Sequence, residues 1–320
     1  MTDIDLAIVI VTYNSEKDIV RCLNSIHKFH DEYIGQIHVI VVDNASSDNT
    51  LGLVRETVNW CRYLSIIESK NNVGFGNACN LAFSKIDSAS YLLLNPDAFF
   101  VCDSLSLSLP VLVADSRVAV CGFPLVFEDG VSQSSVYRYT SVVTWIPTIL
   151  GVRRLLEIML SYRIIAHVLK SWPPLYEFSN SQMKPRLNFS EVNNLEYTYL
   201  LRDVDWVCGA CMYISRSFLN QYGGFDRRFF LYGEDEDLCI AAKRLGFRVC
   251  SIDAPPLAHD LGWNKNRINS VVAKYKYDSL ALFINKNIKN SIHRLAMLYI
   301  LPVYIYGFAG ALSRFFRSGK

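Results

Sequence analysis

Three short apolar runs, residues 6–11 (LAIVIV), 37–42 (IHVIVV) and 91–94 (YLLL), each end abruptly in a polar cluster, and this constrains the fold more than any other feature. Runs that stay apolar without alternating are strands buried on both faces. Between them, residues 18–27 place Ile19, Cys22, Leu23 and Ile26 on one helical stripe, and residues 77–85 do the same with Cys79, Ala82 and Phe83. Strands and helices alternating at this spacing predict βαβ units, a parallel sheet and an α/β fold. Ligands of such sheets sit beyond the carboxyl ends of the strands. The residues found there are Thr12-Tyr13-Asn14, then 43–48 (DNASSD), then Asn95-Pro96-Asp97. Amides, carboxylates and hydroxyls gathered on one rim describe a nucleotide pocket.

The chain of 320 residues is 51% hydrophobic, enough for one large domain with appendages or two modest ones. A formal net charge of +2 gives no global basic field, so nucleic acid is not an expected partner. Nine cysteines, an odd number and many of them inside apolar runs, fit free core thiols in a reducing compartment and favour the cytoplasm. Cys208 and Cys211 have C-x-x-C spacing but lack a second pair, so they are read as flanking Gly209 on a buried strand. The first residues, MTDIDLAIVIVTYN, have no positive region before the apolar run and do not read as a signal peptide.

The rhythm breaks between 131 and 202, which reads as an insertion that contacts a membrane or an acceptor. Within it, residues 144–172 hold Arg153, Arg154, Arg163 and Lys170 among apolar residues, with Glu157 the only acid. Such a basic amphipathic stretch suits a membrane interface or an ordinary surface helix. A strand is expected over 205–214, then a turn at Gly223-Gly224, then the acidic run Glu234-Asp235-Glu236-Asp237 leading into a helix over 238–245. These marks divide the chain into a nucleotide-binding half (1–130), the insertion (131–202), a half that carries the acidic cluster (203–262) and a helical, membrane-associating end (263–320). Residues 295–312 are uncharged, interrupted by Pro302, Gly307 and Gly310 and flanked by Arg294, Arg314, Arg317 and Lys320. That is short for a span of roughly 17–25 residues, so an interfacial anchor is expected.

Acids at a helix start are favoured by the helix dipole, which accounts for Glu236 and Asp237. Glu234 and Asp235 follow a glycine, where a side chain can project into a cleft and serve as a general base. Asp97, at a strand end, suits a divalent cation that brings phosphate with it, or a structural turn. His259 is a lone histidine that can complete the same site. Residues 71–77 (NNVGFGN) open a helix with glycines that let backbone approach an anionic ligand.

Taken together, VTYN (11–14), VVDNASSDNT (41–50), NNVGFGNACN (71–80), LNPDA (94–98), DWVCGAC (205–211) and GGFDRRFFLYGEDEDL (223–238) resemble glycosyltransferase family 2, in particular its bacterial rhamnosyltransferase-like group. The resemblance spans roughly residues 5–290 in order and spacing. It implies a nucleotide-diphospho-sugar transferase (GT-A type) fold: a single Rossmann-like domain with a helical insertion and C-terminal helices. It also implies that Asp43 reads the base while Thr12, Tyr13 and Asn14 line the nucleoside, with Asn44, Asn72, Gly74, Asn77 and Asn95 on the donor side. Asn95 and Asp97 occupy the family's D-x-D position, with Asn in place of the first Asp, and His259 matches a metal-binding histidine of some members. Mg2+ or Mn2+ is the implied cofactor. Asp235 maps to the catalytic base of an inverting displacement, and Trp206, Gly209 and Glu234 to the acceptor side.

The expected partners are a nucleotide sugar, with dTDP-rhamnose preferred and a UDP-hexose as alternative, a lipid-linked glycan in O-antigen-type polysaccharide assembly, and the cytoplasmic face of the inner membrane. A nucleotidyltransferase would want a basic glycine-rich loop near the N-terminus, which Asn14-Ser15-Glu16 does not supply. A non-catalytic sugar-binding scaffold would need no acidic cluster on the rim.

Overall fold

The structure, a computed structural model, describes residues 6–30, 37–58, 63–142, 144–145, 189, 192, 195–260 and 270–317, with side chains of 270 and 306–317 left aside. Two compact units form, one from residues 1–137 and 187–266 and the other from 138–186 and 267–320.

In the first unit, β1 (Leu6–Thr12), α1 (Ile19–His30), β2 (Ile37–Asp43), α2 (Thr50–Val58) and β3 (Leu64–Glu68) follow one another as the apolar runs predict. α3 (Phe75–Lys85) then leads to β4 (Ser90–Leu94), which pairs parallel with the opposite edge of β1. Strand order therefore reverses beside β1, and a crevice opens where β1 and β4 end. After β5 (Ala98–Phe100), α4 (Ser108–Ala114) precedes β6 (Val118–Gly122), β7 (Leu125–Val126), β8 (Ser132–Gln133) and β9 (Val136–Tyr137). The chain continues with β10 (Leu201–Asp203), β11 (Trp206–Val207), β12 (Cys211–Ser215), α5 (Arg216–Tyr222), α6 (Glu234–Arg244), β13 (Arg248–Ile252) and β14 (Leu257–His259). The main sheet runs β10-β13-β6-β12-β4-β1-β2-β3, and a four-stranded sheet runs β5-β14-β7-β8.

β1 explains why its sequence does not alternate. Leu6, Ile8 and Ile10 enter a core with Cys22, Leu23 and Ile26 of α1, whereas Ala7, Val9 and Val11 enter a second core with Ala78, Cys79 and Ala82 of α3. Both faces are dry, so both must be apolar.

Two sequence expectations change. The strand expected over 205–214 is broken: Trp206–Val207 pairs with β9, Cys211–Ser215 joins the main sheet, and 208–210 connect them. Cys208, Gly209 and Ala210 thus line a cleft instead of lying within a strand. Secondly, the helix expected from 238 begins at Glu234, so all four acids occupy its first turn. A first turn carries no apolar stripe, which hid the start from periodicity.

The second unit contains α7 (Ser270–Asn287) and α8 (Ser291–Arg317), which pack together. Trp145 stacks on Tyr304 with centroids 4.4 Å apart, and Lys276 Nζ lies 5.6 Å from the Tyr304 ring. No described helix is long and apolar enough to cross a membrane. The basic stretch of 144–172 lies outside the described residues apart from Thr144 and Trp145.

Candidate active site

At the reversal point the strand ends are stitched to one another. The Thr12 hydroxyl donates to Asp43 Oδ1 at 3.0 Å, and the Ser46 N–H donates to Asp43 Oδ2 at 3.0 Å. Asn14, in the left-handed region at φ 54°, donates its N–H to Ser46 Oγ and accepts the Ser47 N–H at 2.8 Å. Asn44 Nδ2 donates to Asn72 Oδ1 at 2.9 Å, and Asn44 Oδ1 accepts the Val73 N–H at 2.9 Å. These bonds tie three loops into one rim.

Below the rim lies a cleft of about 430 Å³, the size of a small-molecule site. Tyr13, Asn14, Asn44, Asn72, Gly74, Asn95 and Asp97 all line it. Thr12 and Asp43 are buried beside it and bonded to each other. Asn77 is not among the lining residues: its amide donates to the carbonyls of Val73 and Arg227, at 2.9 and 3.1 Å. The glycine reading also changes. A Cβ on Gly74, which has φ +87°, would lie 2.2 Å from the Phe230 carbonyl oxygen, so the missing side chain makes room for the chain's own backbone.

Four carboxylates shape this cleft electrostatically: Glu16, Asp18, Asp48 and the expected Asp97 line it, against one ammonium among the described residues, that of Lys17. Asp18 is pushed above the usual carboxylate range by burial first and by the Asp97 charge second. A cation would offset the repulsion that so acidic a cleft imposes on an anionic ligand.

The residues for a cation are present. His259 Nε2 lies 3.3 Å from Asp97 Oδ1, and the Asn95 amide lies 3.5 Å from the same nitrogen. β14 pairs with β5 so that His259 stands opposite Ala98, which brings two distant segments to one point. On the far side of the ring, Nδ1 meets Gln133 Oε1 at 2.9 Å, a contact that orients the ring with Nε2 toward Asp97. Gln133 sits on a two-residue strand within the irregular region and left no sequence signal. Among the described residues no group of three or more histidines, cysteines or acids converges, so a cation here takes its remaining oxygens from phosphate or water.

A second cleft of about 250 Å³ shares Phe75, Asn95 and Leu231 with the first. Glu234, Asp235, Gly209 and His259 line it, together with Tyr137 and Tyr232. Trp206 stacks on Tyr137 with centroids 4.5 Å apart and contributes no lining surface. Tyr232 at φ 73° and Gly233 at φ 86° are consecutive left-handed residues that start α6 directly at the cleft. Asp235 accepts the Glu236 N–H at 2.9 Å and is also held by the Gly209 N–H. Burial nevertheless raises its pKa well above an ordinary aspartate, poising it as a proton acceptor near neutrality. Glu234 is raised further, by burial and then by the Asp235 charge.

The model of Glycosyl transferase family 2 matches residues 7–181. The chain is 25% identical over 271 residues to an N-acetylglucosaminyl-diphospho-decaprenol L-rhamnosyltransferase of Mycobacterium tuberculosis, covering 81% of this chain and 76% of that protein. It is 27% identical over 277 residues to the low-salt glycan biosynthesis hexosyltransferase Agl10 of Haloferax volcanii, covering 85% and 72% respectively. Among solved structures, a mannosyltransferase of Pyrobaculum calidifontis, in complex with GDP-Man and Mn2+, superposes with a TM-score of 0.58 at 17% identity, covering 98% of this chain and 76% of that one. With a GT-A sheet, two adjoining clefts and a family model matching more than half of its length, the chain is a glycosyltransferase belonging to family 2.

Proposed function

We propose that this enzyme transfers a sugar, with inversion, from a nucleotide-diphospho donor in the larger cleft to a lipid-linked glycan in the smaller one. The supporting observation is that Asp235, a carboxylate with a raised pKa, lines a cleft sharing Asn95 and Phe75 with the donor cleft. Tyr13 and Asn14 hold the nucleoside, and Asp97 and His259, with Asn95 beside them, hold Mn2+ or Mg2+. When bound, that cation supplies charge neutralisation for the departing diphosphate. Asp235 takes the proton of the acceptor hydroxyl, whose oxygen attacks the anomeric carbon from the face opposite the leaving group. In this reading residues 1–130 bind the donor and 203–262 supply catalysis and acceptor contacts.

dTDP-rhamnose is the preferred donor, in line with the rhamnosyltransferase relative. The hexosyltransferase relative supports a UDP-hexose as the second reading. The diphospho-decaprenol acceptor named for the mycobacterial relative supports a polyprenyl-diphosphate glycan and a role in O-antigen-type polysaccharide assembly. The same lipid acceptor supports a peripheral position at a membrane, which we read as its cytoplasmic face. α8 supports this: Ile292, Leu295 and Tyr299 lie along one side of the helix and are 82%, 65% and 86% exposed. An apolar stripe beside Lys286, Lys289 and Arg294 suits an anionic lipid surface.

A thermal-shift panel of dTDP-rhamnose, UDP-glucose, UDP-galactose, UDP-N-acetylglucosamine and GDP-mannose, each with and without Mn2+, tests the donor. One donor stabilising only with metal, followed by its transfer to a short-chain N-acetylglucosaminyl-diphospho-lipid, is the expected result. No shift with any donor would overturn the donor assignment.

A further inference from the structure

Glu234 presents an unusual combination. Its side chain lines the smaller cleft and is only 6% exposed, yet among the described residues its Oε2 has no hydrogen-bond partner. Buried polar atoms rarely go without a partner, because each one left so costs about 1–3 kcal/mol. Among the described residues, the neighbours that act on it electrostatically, Asp235 and the backbone N–H groups of Glu234 and Tyr232, include no cation, so no ion pair among them holds it. A ligand in the cleft can supply the partner.

Asp235 is the next residue, in the same helical turn and lining the same cleft. A ligand that offers one hydroxyl to Asp235 has its neighbouring hydroxyl within the reach of Glu234. We propose that Glu234 is the second handle on the acceptor: its Oε2 hydrogen-bonds the hydroxyl adjacent to the reacting one, so the enzyme selects an acceptor sugar that presents a vicinal diol. The proposal rests on the placement of the acceptor beside Asp235. It adds a requirement on acceptor chemistry that the transfer reaction itself does not impose.

The protonation state agrees with this role. Burial and the Asp235 charge both favour the neutral acid, so at neutral pH Glu234 retains its proton and donates it to the diol oxygen. A neutral neighbour also leaves Asp235 free to ionise. Two full charges side by side in this cleft compete, so the pair keeps its last proton to higher pH than an isolated carboxyl would.

The test uses the short-chain N-acetylglucosaminyl-diphospho-lipid and analogues deoxygenated in turn at each free ring hydroxyl. The wild-type enzyme is expected to lose roughly tenfold or more in kcat/KM, mainly through KM, for the analogue lacking the hydroxyl next to the reacting one. Glu234→Leu is expected to treat that analogue and the parent alike. Glu234→Gln, which can still bond a hydroxyl, should recover part of the discrimination. Discrimination undiminished in Glu234→Leu overturns the proposal, as does its absence in the wild type. No turnover of the parent glycan would instead count against the acceptor class proposed above. Carboxyl carbon-13 spectra then test Glu234 without any acceptor: its signal, identified by its loss in Glu234→Gln, should be that of a protonated acid at pH 7. An ionised signal overturns the proposal.

Discussion

His259 Nε2 and Asp97 Oδ1 face each other at 3.3 Å, while the other ring nitrogen is held by Gln133 at 2.9 Å. Either a proton or a divalent cation can lie between two such atoms, and the proposed site uses the cation. Asp97→Ala and His259→Ala are therefore each expected to weaken nucleotide binding about tenfold or more in Mn2+ while leaving metal-free binding unchanged. Gln133→Leu, which frees the ring, should cost about 10- to 100-fold in metal affinity. Calorimetry with dTDP and UDP, with and without Mn2+, reads all three; metal-independent losses would remove the cation from this site.

Asp235→Asn is expected to lower kcat by about 100- to 10,000-fold, the usual worth of a general base, with donor affinity retained. Because burial raises the pKa of Asp235, the acidic limb of the rate profile should lie above the ordinary aspartate value of about 3.9. Activity then rises as pH passes through the raised value. Retained turnover in this variant would move the base to Glu234 or Asp237.

The same burial acts on stability. A carboxylate whose pKa is raised by folding gives stability that is complete below its unfolded value, about 4.3 for glutamate, and is lost as pH climbs through the folded one. Glu234→Gln removes that loss. Its melting temperature should exceed the wild type's at pH 8 by roughly 2–4 °C for each kcal/mol relieved, with no advantage at pH 4. An advantage equal at both pH values would mean the charge is not the cause.

Gly74→Ala combines a positive φ with a Cβ 2.2 Å from the Phe230 carbonyl oxygen. A destabilisation of about 1–3 kcal/mol from the backbone alone is expected, with more from the collision. Denaturant unfolding measures it, and a neutral outcome would show that the 225–230 segment can retreat without cost.

Replacing Ile292, Leu295 and Tyr299 together with serine should abolish most of the sedimentation with anionic vesicles while leaving donor binding intact. Unchanged sedimentation would move the lipid contact to another segment.

Much of the donor half could be read from residue order, because a strand dry on both faces betrays itself as an unbroken apolar run and its end as a sudden change to polar residues. Asp97 and His259 could be named for one site, but not the strand pairing that joins them, β14 antiparallel with β5 across more than 150 residues. Asn77 misled because a polar residue after a glycine-rich turn looks like a ligand contact, whereas here it bonds backbone carbonyls. Trp206 stands one step back from the cleft, stacked on Tyr137, which lines it and lies in a stretch with no readable period. Gln133 and the orphaned oxygen of Glu234 are products of tertiary packing alone.

One side of α3 grips the segment that leads to the acids. The Phe75 N–H meets the Phe230 carbonyl at 3.2 Å, Asn77 meets the Arg227 carbonyl at 3.1 Å, and Asn80 takes both the N–H and the carbonyl of Phe225 at 2.8 Å. Held at three successive steps, this wall resembles a clamped rail more than a swinging gate, and the proposed donor and acceptor clefts keep their alignment through the fold itself. A graft of residues 225–237 from a transferase with another acceptor would therefore import only half of a mating surface, and exchanging specificity requires that the outer face of α3 travel with it.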